Sequence, residues 1–108
     1  MSKVVVMKLT TGEEVIAKLV NTEGGNDFDS CVVNPSVIVV RAAKCMMLQG
    51  SGQQMGMTMI PYMLASIDGE IKVKTDCIAS WIGEDELPKQ LLDAYLSQTS
   101  GIQIQQRL

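Results

Sequence analysis

Val4-Val5-Val6-Met7-Lys8-Leu9-Thr10-Thr11-Gly12-Glu13-Glu14-Val15-Ile16-Ala17-Lys18-Leu19 decides the fold. Two runs rich in Val and Ile flank Thr10-Thr11-Gly12-Glu13. β-Branched side chains favour extended backbone, and glycine opens the turn conformations that other residues resist. The pattern predicts a strand from Lys3 to Leu9, a short turn containing Gly12, and a second strand from Glu14 to Val20.

The same reading extends outward. Thr22 to Asp27 is a loop, and Phe28 to Val33 resumes a strand-like pattern. Asn34-Pro35 interrupts it before Ser36-Val37-Ile38-Val39-Val40-Arg41. Proline removes a ladder donor and sits at bends, so residues 28–42 read as one long strand bent at Asn34-Pro35. Bends of this kind close small barrels. Gln49 to Gln54 reads as a flexible connection. In the segment after it, Met55, Met57, Met59, Pro61 and Met63 fall on alternate positions. Such a stripe is read first as core or subunit-interface filling, with a soft metal site or an adaptable binding surface as the alternative.

Asp68-Gly69 is a hairpin signal, and Ile71 to Ile82 forms the last strand region, broken at Thr75-Asp76. The total is about five strands. A helix follows at about residues 85–98, with Asp85 as cap and Glu86, Leu87 and Pro88 in its first turn. Leu87, Leu91, Ala94 and Tyr95 share one face with Leu92 beside them, and Gly101 is a stop. The helix is expected to be peripheral, over one open end or one face. The tail 102–108 alternates but is too short to assign. The expected architecture is mainly β: one domain over 1–108, with its strands in 3–83.

Composition narrows the function. The chain has 108 residues and a formal net charge of −3, with no histidine. Ser-His and Cys-His nucleophile pairs are therefore absent, and zinc would need carboxylates to complete its shell. No catalytic residue, metal or cofactor is expected, and the protein is read as non-enzymatic. Asp68, Glu70 and Asp76 are the only acids to weigh at one turn, and exposed acids are usually solvation. Cys31, Cys45 and Cys77 contain no CxxC pair, so they read as buried thiols in a reducing compartment. No apolar run reaches the roughly 20 residues of a membrane span, and a cytoplasmic location is expected. Charge is uneven: residues 30–82 carry Arg41, Lys44, Lys72 and Lys74 against Asp68, Glu70 and Asp76, so an anion is to be sought there.

These residues resemble a family. The hairpin Val6 to Leu19 resembles the first half of an Sm-like (LSm) domain, and Phe28-Asp29 followed by Asn34 resembles the aromatic, Asp and Asn that come next. Val73-Lys74-Thr75-Asp76-Cys77-Ile78 has the spacing of the second motif, with Lys74 where the family has Arg and Thr75 where it has Gly. The usual N-terminal helix is missing. Over residues 3–83 the order of motifs is most similar to Sm-like proteins of marine cyanophages, which would place the protein in a host cytoplasm.

The resemblance implies a strongly bent five-stranded antiparallel open barrel and a homo-oligomeric ring of roughly five to seven subunits, closed by edge-strand pairing. It also implies single-stranded RNA at the central opening. Carried over, Asn34 would contact a base, Lys74 would stack or meet phosphate, Asp29 would orient neighbours and Phe28 would be a further stacking candidate. Plainer readings stand beside these: an Asn-Pro turn, a solvated lysine and a core phenylalanine. The functional alternative is an oligomeric phage assembly or structural component that binds no nucleic acid.

Overall fold

The computed structural model describes residues 3–51, 54–67 and 69–99. The hairpin forms as the sequence predicts. Strand β1 (Lys3–Leu9) pairs antiparallel with β2 (Glu14–Thr22). The turn closes with Leu9 N–H on the Glu13 carbonyl at 2.8 Å, and Gly12 has φ 105°, which L side chains resist.

The long bent strand expected over 28–42 is not formed. Phe28–Val33 is instead a short helix, α1, and strand β3 follows from Val37 to Ser51. The reason is local. The Asp27 carboxylate caps the helix by accepting the Ser30 N–H, and Phe28, Cys31 and Val32 are buried at i, i+3 and i+4. Pro35 disfavours helical backbone at Asn34, so α1 ends there, with the Asn34 N–H on the Ser30 carbonyl.

The connection expected at 49–54 is shorter than its composition suggested. β3 runs through Ser51 and β4 (Gln54–Pro61) begins opposite it at Gln54, while Gly52 and Gln53 lie outside the described residues. Strand β5 (Glu70–Lys74) pairs with β3 on the same edge as β4, further along. β4 and β5 therefore lie end to end and run the same way. Gly69 marks re-entry onto that edge and not a hairpin, and Asp68 lies outside the described residues. Glu70 opens β5 and Asp76 lies beyond its far end, so those two acids do not gather.

A 3₁₀ turn, Thr75–Cys77, leads to β6 (Ile78–Ile82), which pairs with β1. The six-stranded antiparallel sheet has the order β4-β3-β2-β1-β6, with β5 also on β3. Three residues join β5 to β6 across the whole width β3-β2-β1, so the sheet must curl until its ends approach. β5 and β6 do not pair, and the barrel is not closed.

Curling makes two apolar faces. Val5, Met7, Val15, Ile38, Val40 and Ile71 pack inside the curl with Phe28 and Cys31 of α1. Val4, Val6, Ile16, Ala42 and Met59 pack on the outside against a second helix. This explains the unbroken apolar run in β1, where both faces are covered. The second helix, α2, spans Lys89–Thr99 and starts later than expected. Glu84–Glu86 is a 3₁₀ turn, and Leu87 is extended because Pro88 follows it. Asp85 therefore caps nothing in α2.

Tyr95 is fully buried and donates its hydroxyl to the Ala42 carbonyl at 2.7 Å. Leu87, Leu91 and Leu92 pack beside it, whereas Ala94 is exposed. Of the methionine stripe, Met59 is buried under α2 and Met57 is exposed, while Met63 lies past the strand. Gly101 and the tail 102–108 lie outside the described residues. No helix among the described residues is long and apolar enough to cross a membrane.

Candidate nucleic-acid interface

Two turns meet at one end of the curled sheet. The first, Asn34-Pro35-Ser36, carries the chain from α1 into β3. The second, Thr75–Cys77, carries it from β5 into β6. The register sets Val37 opposite Lys74, so the turns are neighbours by construction.

Thr75 locks them together. It is 1% exposed. Its hydroxyl donates to the Cys31 carbonyl at 2.7 Å and accepts the Ser36 N–H at 2.8 Å, while its own N–H donates to the Ser36 carbonyl at 2.9 Å. A buried hydroxyl that bonds both α1 and the Ser36 turn holds their geometry strongly, because losing it removes both bonds at once. Sequence reasoning passed Thr75 over as a replacement for glycine. A β-branched hydroxyl residue between Lys74 and Asp76 was the available signal.

The structure brings Asn34 and Lys74 to this end. Asn34 is exposed at the rim of an open cleft of about 570 Å³ lined also by Asn26, Ser30, Pro35 and Ser36. Lys74 is exposed, and its Nζ lies 3.9 Å from Asp76 Oδ2. A pair so long and so exposed contributes little and leaves the ammonium available. The Ser36 hydroxyl oxygen is buried without a hydrogen-bond partner beneath the same turn.

Asp29 and Phe28 lie elsewhere. Asp29 Oδ1 accepts the Trp81 indole N–H at 2.8 Å, tying α1 to β6. It borders a separate cleft of about 370 Å³ with Lys3, Glu84, Asp85 and Glu86. Acid dominates there, which suits no phosphate. Phe28 is 7% exposed in the main core, so its ring is spent on packing and not presented to a base.

Three titratable groups elsewhere among the described residues depart from their ordinary values. Burial, then Glu13, pushes the Cys45 thiol up, so it stays protonated and weakly nucleophilic at neutral pH. Burial also pushes Tyr62 up, helped by Glu13, Cys77 and Cys45. The side-chain hydrogen bond to Ser30 holds Asp27 below the usual carboxylate range, as expected of a helix cap. Among the described residues no three of His, Cys, Asp and Glu come together to hold a metal.

No family model and no curated protein matches the chain.

Proposed function

We propose that this protein is a non-enzymatic Sm-like domain that assembles into a homo-oligomeric ring and holds single-stranded RNA where the turns of Asn34 and Lys74 meet. The observation that carries the RNA reading is the Thr75 lock. It holds the turn after Asn34 against the turn after Lys74, and the exposed amide and exposed ammonium at these turns suit a base edge and a phosphate respectively. In a ring, each Lys74 lies near its symmetry mates, which concentrates positive charge that a chain of net charge −3 otherwise lacks.

The sheet edges support self-association. β4 and β6 end the sheet, and an open edge is a template for another strand. Pairing the β4 edge of one copy with the β6 edge of the next is a head-to-tail contact, which closes into a ring when the rotation allows. Exposed apolar residues flank β4: Leu48 is 72% exposed, with Met47, Met57 and Ile60 nearby.

The exposed apolar residues along β4 and the acidic net charge also favour a second reading, an oligomeric assembly component without nucleic acid. Light scattering and oligouridine anisotropy separate these outcomes. A multimer that binds oligouridine at low salt, with affinity falling as salt rises, supports the ring–RNA reading. A multimer that binds no single-stranded RNA supports the assembly reading. A mass near 11.7 kDa at micromolar concentration removes both.

A further inference from the structure

We infer that the outer face of β2, β3 and β5 is a track for the phosphate backbone of single-stranded RNA, leading away from the Asn34 turn. This rests on the RNA reading above and extends it from one turn to a surface.

The faces follow from alternation. Ile71 and Val73 of β5 pack towards the main core, so Lys72 and Lys74 face outward. Val40 faces the core, so Arg41 faces outward, and Lys18 does so between Ala17 and Leu19. Register then assembles what the sequence scatters. Lys18 is directly opposite Arg41, Val39 is opposite Lys72, and Val37 is opposite Lys74. Arg41, Lys72 and Lys74 are exposed and Lys18 is half-buried. α2 covers the adjoining surface at Ala42 and leaves this part bare.

Like charges directly opposite each other on neighbouring strands destabilise a sheet, and Lys18 and Arg41 form such a pair. Glu70, opposite Arg41, is the one acid in these registers, and Asp76 follows on the turn. Among the described residues Lys18, Arg41 and Lys72 form no ion pair. Four bases gathered against one facing acid, on a net-acidic protein, call for an anion.

The spacing suits a polymer. Lys72 and Lys74 are two residues apart, roughly 7 Å along β5, and neighbouring strands are roughly 5 Å apart. The interval along β5 is close to that between successive phosphates of an extended strand. The face carries Val20, Val37 and Val39 but no aromatic ring, so contact is to backbone and sugar rather than by stacking. Lys74 ends this face just before the Thr75–Cys77 turn, which Thr75 bonds to Ser36 after Asn34, so the track starts at the end of the sheet where base contact is proposed.

The test uses the full chain and two labelled probes of equal length: oligouridine and an abasic deoxyribose-phosphate strand. Affinity is measured against salt for wild type, Arg41→Gln/Lys72→Gln, Lys72→Gln alone and Asn34→Ala, with circular dichroism confirming the fold. Wild type is expected to bind both probes. The double variant is expected to lose about 1.4 from the slope of log affinity against log salt, about 0.7 for each contact, on both probes. Asn34→Ala is expected to weaken oligouridine alone. If the double variant keeps wild-type affinity and slope while Asn34→Ala weakens binding, the RNA reading stands and the track is overturned. If wild type binds neither probe at low salt, both fall. If it binds polyglutamate and neither probe, the face belongs to acidic peptides and the track is again overturned.

Discussion

Strand β3 has two halves with different chemistry. Residues 37–41 run between β2 and β5, with Ile38 and Val40 in the main core and Val37, Val39 and Arg41 on an uncovered face. Residues 44–46 run between β2 and β4 and residues 47–51 pair with β4 alone, and there the same outer side carries Met46 under α2 and then exposed Leu48. A β-bulge separates the halves. Ile16 pairs with Lys44 and Lys18 with Arg41, so Ala17 alone stands opposite both Ala42 and Ala43. One extra residue lets a single strand serve two surfaces: a basic one beside the turns and an apolar one beside the open edge.

The covered half is broken most severely at Tyr95. Tyr95→Ala removes a fully buried ring and the hydrogen bond to Ala42, and is expected to cost roughly 3–5 kcal/mol in urea unfolding. A cost below about 1 kcal/mol would show that α2 is as peripheral as the sequence suggested. The two halves would then differ less than their packing indicates.

The basic half is tested at its anchor. Thr75→Val keeps the shape but removes the hydroxyl from the Ser36 N–H and the Cys31 carbonyl, at an expected cost of about 1–3 kcal/mol. Oligouridine affinity is expected to fall with it, because the turns beside Asn34 and Lys74 are held together less firmly, while the oligomer mass stays unchanged. Full RNA affinity in a destabilised Thr75→Val protein would separate the lock from the function.

The apolar half is tested at its edge. Leu48→Asp alters an exposed side chain, so the stability of the isolated fold is expected to move by no more than about 0.5 kcal/mol. Light scattering is expected to show a smaller assembly. An unchanged assembly would remove Leu48 from the interface and leave β4 backbone pairing as the remaining contact.

Much of this division was hidden in the sequence for physical reasons. β1 and β2 were legible because Val and Ile dominate them and Gly12 marks the turn. α1 was not, because six residues give barely more than one helical turn and Phe28, Val32 and Val33 also suit a strand. The spacing Phe28-Cys31-Val32 behind Asp27 was the overlooked sign. The end of β3 was hidden by Gly50 and its amide neighbours, which read as linker. Asn34 and Lys74 were singled out by motif resemblance alone. Lys18, Arg41 and Lys72 were not, since only strand register makes them neighbours.

The smallest effect sits at the bulge that divides the halves. Ala42 and Ala43 are adjacent and equally buried, but Ala42 has φ 52° and Ala43 does not share that conformation. Glycine at either site loses a buried methyl, about 0.8 kcal/mol. Glycine also adds unfolded-chain entropy, a further 0.5–1 kcal/mol or so. At Ala43 these terms add, and Ala43→Gly is expected to cost about 1.5 kcal/mol. At Ala42 they are opposed by relief of the left-handed conformation, about 1–2 kcal/mol. Ala42→Gly is therefore expected to change stability by less than about 0.5 kcal/mol, a near-cancellation that urea unfolding of the two variants side by side can read. Equal costs at the two sites would mean that Ala42 carries no strain. The bulge would then be held by its neighbours' packing rather than resisted by its own backbone.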